Sequence, residues 1–176
     1  MKIPAIILRR LHSWADKKMA SRPPDFVIQP DGREVYLKRW WVIPRNRFFN
    51  IYLHLFLKSD DDRACHDHPW VNASILLRGV YKEHILVGSH NGCDIRRVEM
   101  RYQGHVYARP PASAHRVQLI KDLFSDTERS VITLFITGPK VREWGFHCPK
   151  GWRHWREFTN VIDGDAKGSE IGRGCE

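Results

Sequence analysis

The chain has 176 residues, 42% of them hydrophobic and 28% charged, which is the composition of an ordinary globular domain and not of a disordered chain. This length suits one domain with a substantial buried core. No apolar run reaches the roughly 20 residues that a transmembrane helix needs, so we expect no membrane span. The formal net charge of +9 favours anionic partners, such as phosphorylated or carboxylated small molecules.

Residues 1–30 predict a helix followed by a connector. Apolar residues fall near one stripe of residues 3–18, with arginines and lysines on the other side, so we expect an amphipathic helix. It would pack on the rest of the domain or across a homodimer interface, with a membrane-surface role as an alternative. No small-residue cleavage site follows, so we expect a cytoplasmic protein without a secretory signal. Residues 21–30 contain three prolines and predict an extended connector.

Residues 31–162 predict an all-β domain, because many short strand-like runs are separated by turn signals, as in a sandwich or barrel. The predicted strands are 34–43, 48–58, 71–78, 79–87, 95–102, 106–109, 115–119 and 130–137, with a kink at Gly79. Residues 157–162 predict a last edge strand. Residues 163–176 are rich in Gly, Asp, Ser and Lys and predict a flexible C-terminal tail.

Three histidines in two short segments form the candidate site. His66 and His68 are two residues apart, so on a strand both side chains leave the same face. His115 follows a Pro-Pro turn and opens another apolar run. If the two strands are neighbours, the three imidazoles can bind a first-row transition metal and leave positions open for substrate or oxygen. The alternative is a structural His-x-His pair without a metal.

Both segments resemble the motifs of the cupin superfamily. At the spacing of the first motif, G-x5-H-x-H-x3-4-E-x6-G, the chain carries Asp60, His66, His68, Asn72 and Gly79. At the spacing of the second motif, G-x5-P-x-G-x2-H-x3-N, it carries Gly104, Pro110, Ala112, His115 and Leu119. The resemblance implies a double-stranded β-helix, the jelly-roll barrel of the cupins.

The chain departs from the motifs most clearly at Asn72, which stands where many cupins have a metal-binding glutamate. An all-histidine site is similar to that of the cupin thiol dioxygenases, which hold ferrous iron with three histidines. The resemblance therefore implies a divalent transition metal, iron first, with zinc, manganese or nickel as alternatives. Asn72 could add its amide oxygen as a weak fourth ligand. The lost carboxylate can also indicate a binding module that has lost its chemistry.

Two further residues are candidate catalytic groups. Tyr81 is predicted near the site, where a phenol can donate a proton or orient bound oxygen, and its alternative is a core tyrosine. Arg142 lies in the charged and aromatic segment 138–155, which could close over the barrel mouth and bind a carboxylate or phosphate. The same segment could instead form a hairpin on the outer face of the barrel. His147 is a candidate extra ligand.

The cysteines form no C-x-x-C pair, and a domain of this size needs no disulfide framework. Because Cys65 and Cys148 each adjoin a histidine, a structural zinc site is an alternative. The basic and aromatic residues of 150–156 are more typical of a strand or turn than of a nucleic-acid surface, so a nucleic-acid partner is not expected.

The prediction that combines these features is a mononuclear non-haem oxygenase-like enzyme that acts on a small anionic substrate. The alternatives are a small-ligand-binding cupin module without catalysis and, third, a nucleic-acid-associated protein.

Overall fold

The computed structural model describes residues 1–29, 34–60, 64–90, 93–159 and 174–176. Strands dominate these residues, with one long helix at the N-terminal end. The elements are α1 Ala5–Ser21, β1 Phe26–Ile28, β2 Leu37–Trp41, β3 Asn50–Phe56, β4 Cys65–His66, β5 Asn72–Arg78, β6 Val80–His90, β7 Cys93–Tyr102, β8 Val106–Arg109, β9 His115–Leu119, β10 Val131–Thr137, β11 Gly145–Cys148, β12 Gly151–His154 and α2 Trp155–Thr159.

The strands form two antiparallel sheets, ordered β1-β2-β3-β10-β5-β8 and β12-β11-β4-β9-β6-β7. Pairing is nested around the β6–β7 hairpin, because β5 pairs with β8, β4 with β9 and β3 with β10. This nesting makes the chain cross between the two sheets as it winds, which is the topology of a jelly roll, or double-stranded β-helix. The all-β fold predicted from the sequence is confirmed.

Helix α1 covers the outer face of the first sheet. Its inner stripe includes Leu8, Leu11 and Ala15, spaced three and four residues apart as one helical face requires. This stripe packs on Leu53 of β3 and Ile132 of β10, together with neighbouring outward-facing residues of the same sheet. The helix therefore packs on the barrel, which is one of the two placements that the sequence predicts.

The opposite faces of these strands look into the space between the sheets. An apolar cluster fills one end of this interior and includes Leu76, Tyr81, Val117, Leu119 and Val131. Gly79 sits beside it with a φ of +94°, and a Cβ there would lie 2.9 Å from Cγ2 of Val131. A residue with a side chain would therefore be strained at this position, so the predicted kink between β5 and β6 requires glycine.

Several local predictions were wrong. Residues Trp155–Thr159 form helix α2 and not the start of an edge strand, because Phe158 is buried and stacks on Phe146 at 3.6 Å between ring centroids. Residues 160–162 of that predicted strand lie outside the described residues. Strand β1 lies within the predicted connector, where it pairs with β2.

The C-terminal end is attached to the barrel. Cys148 and Cys175 form a disulfide, although the sequence led us to expect none, because the chain folds back over a separation of 27 residues. Arg153 also donates a hydrogen bond to the carbonyl of Gly174, at 2.8 Å. Residues 163–173 of the predicted tail are not among the described residues. No helix in the described part of the chain is both long and apolar enough to cross a bilayer.

Candidate metal centre

The three predicted histidines converge inside the barrel. His66 ends β4 and lies directly opposite His115, the first residue of β9. His68 follows two residues later, on the same side. One ring nitrogen from each histidine lies within 4.8 Å of the other two, and Nε2 of His68 is 2.9 Å from Nε2 of His115. The predicted convergence is confirmed, and the separation of the His68 and His115 nitrogens suits two atoms that share one metal at about 2.1 Å each.

Backbone hydrogen bonds fix the segment that carries His68. Its N–H donates to the carbonyl of Pro111 at 3.0 Å, which ties it to the Pro-Pro turn before His115. The carbonyl of the next residue, Pro69, accepts a hydrogen bond from the N–H of Val141 at 2.8 Å. The two histidine segments therefore hold each other in place, although His68 itself lies outside a strand.

Behind His115 lies a carboxylate that the sequence did not reveal as part of the site. Glu83 on β6 is completely buried, and its Oε1 is 2.7 Å from Nδ1 of His115. Arg109 donates from Nε to the same oxygen at 2.6 Å, and Arg101 donates to Oε2. Burial alone would raise the pKa of Glu83, but the bond to His115 and the two guanidinium charges outweigh it and lower that pKa.

The ionised Glu83 determines which nitrogen of His115 is available. A carboxylate is an acceptor, so its 2.7 Å contact with Nδ1 favours the tautomer that has its proton on Nδ1 and leaves the lone pair of Nε2 for the cluster. Carboxylate–histidine pairs of this kind orient the ligands of many metal sites.

His66 has a carboxylate neighbour as well, but a more distant one. Oδ2 of Asp60 lies 3.7 Å from Nδ1 of His66. The same oxygen accepts a hydrogen bond from the N–H of Val117 at 2.7 Å, and Oδ1 accepts one from the hydroxyl of Tyr36. The aspartate that replaces the first motif glycine therefore fastens the segment before His66 to β9.

Burial keeps His68 and His115 neutral. The pKa of His68 is lowered well below its ordinary value, chiefly by desolvation and then by the neighbouring imidazoles. The pKa of His115 is lowered to about 4 for the same first reason, with a further contribution from Arg109. Both rings are therefore uncharged at neutral pH, which is the form that binds a metal.

Asn72 contributes a polar group without a partner. It is 2% exposed, and neither its amide oxygen nor its amide nitrogen hydrogen-bonds to any of the described residues. It occupies the same strand face as Leu76, so it faces the interior. An unsatisfied buried amide costs about 1–3 kcal/mol. Three imidazoles form a donor set that fits a divalent transition metal better than an alkaline-earth ion.

Arg142 and His147 are held at a second buried carboxylate. Asp67 is 1% exposed, and its Oδ2 lies 2.8 Å from Nη1 of Arg142 and 3.1 Å from Nε2 of His147. The N–H of Gly145 donates to Oδ1 at 2.9 Å, and Nε1 of Trp152 donates to Oδ2 at 3.0 Å. Because Asp67 lies between His66 and His68, it faces away from them. His147 thus meets Asp67 and not the three-histidine cluster.

The segment around Arg142 nevertheless lies at the histidine end of the barrel. It forms the hairpin β11–β12, whose first strand pairs with β4 and places Phe146 opposite His66. The ring centroids of Phe146 and Trp144 are 6.0 and 6.4 Å from that of His66. The sequence did not predict these two aromatic neighbours, although their alternate spacing on a strand next to β4 is the pattern that produces them.

Tyr81 lies deeper in the barrel than the sequence suggested. It is 3% exposed and packs in the apolar cluster with Val117 and Leu119. Burial raises the pKa of its hydroxyl to about 12. The phenol interacts with Arg109, which in turn contacts Glu83, so Tyr81 is connected to His115 only through two intervening side chains.

No protein-family model and no curated protein matches the sequence. Similar solved structures include DMSP lyase DddQ from Ruegeria pomeroyi, with 13% identity over 66% of this chain and 54% of that one, at a TM-score of 0.45. Oxalate decarboxylase from Bacillus subtilis, described with Mn(II) centres, has 16% identity over 73% of this chain and 30% of that one, at a TM-score of 0.47. An uncharacterised Klebsiella pneumoniae protein with a double-stranded β-helix domain has 13% identity over 67% and 82%, at a TM-score of 0.45.

The chain spans about half of the DMSP lyase and less than a third of the decarboxylase. Similarity at this level carries no argument about activity, and the fold assignment rests on the nested strand pairing. That pairing makes the chain a jelly roll of the double-stranded β-helix type, with three histidines clustered inside it.

Proposed function

We propose that this chain is a metalloprotein with a mononuclear non-haem centre held by His66, His68 and His115, and that it is an enzyme acting on a small anionic substrate. The observation that carries the proposal is the convergence of three imidazoles whose ring nitrogens lie within 4.8 Å of one another. The lowered pKa values of His68 and His115 support it, because both rings keep a lone pair at neutral pH.

The centre accounts for the preference for an anion. Iron is our first choice, ahead of zinc, manganese and nickel, and would supply open coordination positions for oxygen and substrate in oxygenase-type chemistry. Three neutral imidazoles leave the +2 charge of such an ion uncompensated, so an anionic substrate is favoured. The net charge of +9 also draws small anions toward the protein.

Three further side chains, those of Glu83, Tyr81 and Arg142, have proposed roles around the centre. Glu83 keeps the His115 proton on Nδ1, so that Nε2 stays available. Tyr81, with a pKa of about 12, stays protonated at neutral pH and is a proposed proton donor in contact with Arg109. Arg142 is a proposed closing residue, because its ion pair with Asp67 holds the hairpin that carries Phe146 against His66. That aromatic wall would exclude water from one side of the centre.

A non-catalytic small-ligand-binding module is the second candidate. Asn72 favours it, because a buried amide whose two polar atoms have no hydrogen-bond partner among the described residues stands where the motif has a ligating glutamate. An amide of this kind can recognise a polar ligand without holding a metal. The basic segment does not favour the nucleic-acid alternative, since Trp152 and Arg153 are engaged with Asp67 and Gly174. Homodimerisation and a cytoplasmic location stay predictions.

The decisive experiment is elemental analysis of the full chain after loading with iron, manganese, nickel or zinc, followed by oxygen-uptake assays with small thiols and carboxylates. We expect about one equivalent of metal in the wild type and none in His68→Ala. His84→Ala is the matched control, because His84 lies outside the cluster and bonds to Gln118 at 2.8 Å. Absence of metal from the wild type would favour the binding module, and equal loss in Asn72→Ala and His68→Ala would contradict the ligand assignment.

A further inference from the structure

An arginine of the first sheet lies inside the barrel. Arg39 of β2 is opposite His54 of β3, and the next pair along, Trp40 and Leu53, packs against α1 on the outer face. Because side chains alternate along a strand, Arg39 and His54 face the interior between the sheets. Arg39 is half-buried, and in the described part of the chain no carboxylate forms an ion pair with it.

The contacts of Arg39 hold its guanidinium in place through Nε and the two neighbouring rings, and do not use its two terminal nitrogens. Nε donates to Nε2 of His54 at 2.8 Å, and the central carbon lies 5.0 Å from the ring centroid of Tyr52 and 5.7 Å from that of Phe26. The two terminal nitrogens make no hydrogen bond to the described residues. A guanidinium held between two rings loses little freedom when it binds, and its two parallel N–H donors match the two oxygens of a carboxylate.

A line of ring contacts connects this guanidinium to the histidine cluster. The His54 ring lies 5.1 Å from Phe135, and the Phe135 ring lies 6.0 Å from His68, centroid to centroid. The pKa of His54 is lowered well below its ordinary value, first by burial and then by Arg39, so His54 is neutral and Arg39 carries the positive charge of this pair. The interior thus has a cationic end at Arg39 and a candidate metal end at His68.

We propose that Arg39 binds the carboxylate of a small substrate whose other end reaches the three-histidine cluster. This inference rests on the proposed function and names its substrate class. A carboxylate is favoured over a phosphate because the two parallel donors and single charge of one guanidinium match the two oxygens and single charge of a carboxylate. The two rings would also pack against the carbon chain next to the carboxylate.

The test uses propionate and its neutral isostere propionamide as probes, with inorganic phosphate as a third. Binding to the full chain is followed by calorimetry and by the NMR signal of the Arg39 Nε–H, in metal-free and in zinc-loaded protein. We expect propionate, and not propionamide, to bind and shift that signal in both forms. Arg39→Gln should weaken propionate binding about tenfold or more without changing zinc content. Arg47→Gln removes an exposed positive charge and should leave propionate binding unchanged.

Equal binding of propionate and propionamide, tighter binding of phosphate, or equal losses in Arg39→Gln and Arg47→Gln would each overturn the inference. Arg39→Lys keeps the charge without the fork and should also lose affinity. If neither Arg39 variant folds, an unmoved Arg39 signal in the wild type still refutes the proposal. Because metal-free protein is measured separately, a chain that binds propionate through Arg39 but no metal would refute the proposed function alone.

Discussion

Two buried carboxylates flank the histidine cluster, and they have opposite roles. Glu83 and Asp67 are both almost inaccessible, and each contacts an arginine and a histidine. Glu83 faces the interior and orients His115, which belongs to the cluster. Asp67 faces outward and holds the β11–β12 hairpin through His147 and other donors.

The face of the strand on which a charged residue lies, and not its closeness in sequence to the histidines, determines its role here. Asp67 lies between two cluster histidines and yet turns away from both, because alternate residues on an extended chain face opposite sides. Glu83 is 32 residues from His115, but β6 pairs with β9 and brings their inward faces together.

The two histidines that contact these carboxylates, His115 and His147, should differ completely in their effect on metal binding. His115→Ala removes one of three proposed ligands and is expected to abolish stoichiometric metal binding. His147→Ala removes a partner of Asp67 and should leave about one equivalent bound. Zinc titration of both purified variants, followed by calorimetry, makes the comparison. Equal losses in the two variants would mean that the hairpin histidine belongs to the centre after all.

Neutralising Glu83 should reduce both stability and metal affinity. Glu83→Gln leaves the charges of Arg109 and Arg101 buried without their partner, a change that typically destabilises a fold by about 3–5 kcal/mol. Losing the group that orients His115 should also weaken zinc binding by about 10–100-fold. Urea unfolding and zinc titration measure the two effects. A variant with wild-type zinc affinity would show that His115 needs no such support.

Neutralising Asp67 should reduce stability alone. Asp67→Asn weakens charge-assisted hydrogen bonds to Arg142 and Gly145, which we expect to cost about 1–3 kcal/mol. Zinc stoichiometry should be kept, because Asp67 faces away from the cluster. Urea unfolding gives the free energy, and tryptophan fluorescence reports on the hairpin. Complete loss of zinc from this variant would remove the distinction between the two carboxylates.

The pH dependence of stability should separate the two regions in metal-free protein. The pKa of His115 falls from 6.5 to about 4 on folding, so the unfolded chain takes up its proton first and stability declines as pH falls through that interval. The carboxyls of Glu83 and Asp67 have lowered pKa values, so their contributions are complete above about pH 4 and disappear below it.

His115→Gln should therefore flatten the pH profile between 6.5 and 4, by up to about 1.4 kcal/mol per pH unit for one proton. Asp67→Asn should leave that interval unchanged and alter the profile only at lower pH. Urea midpoints measured from pH 3 to pH 7 check both expectations. A flattened upper interval in Asp67→Asn would contradict the assignment of the slope to the histidines.

The parts of this structure that depend on local spacing could be predicted from the sequence. The histidines of β4 and β9 were predictable because two-residue alternation and the motif spacing are visible in one dimension, and β8 and β9 have the predicted bounds. The role of Glu83 could not be predicted, because its partners Arg109 and His115 lie 26 and 32 residues away and only strand pairing brings them together. Helix α2 and the Cys148–Cys175 disulfide also depend on long-range packing, of Phe158 on Phe146 and of the chain end on β11.

The 2.9 Å contact between Nε2 of His68 and Nε2 of His115 has a consequence for how the centre fills. A hydrogen bond between two imidazoles needs one N–H and one lone pair, and Glu83 already places the lone pair of His115 on Nε2. His68 is therefore the donor, in the tautomer that cannot bind a metal through Nε2. Its proton must move to Nδ1 or leave before both nitrogens can face one ion. We therefore expect tautomer exchange at His68 to limit loading of the site at high metal concentration, and the loading rate to rise with the concentration of a buffer that carries protons.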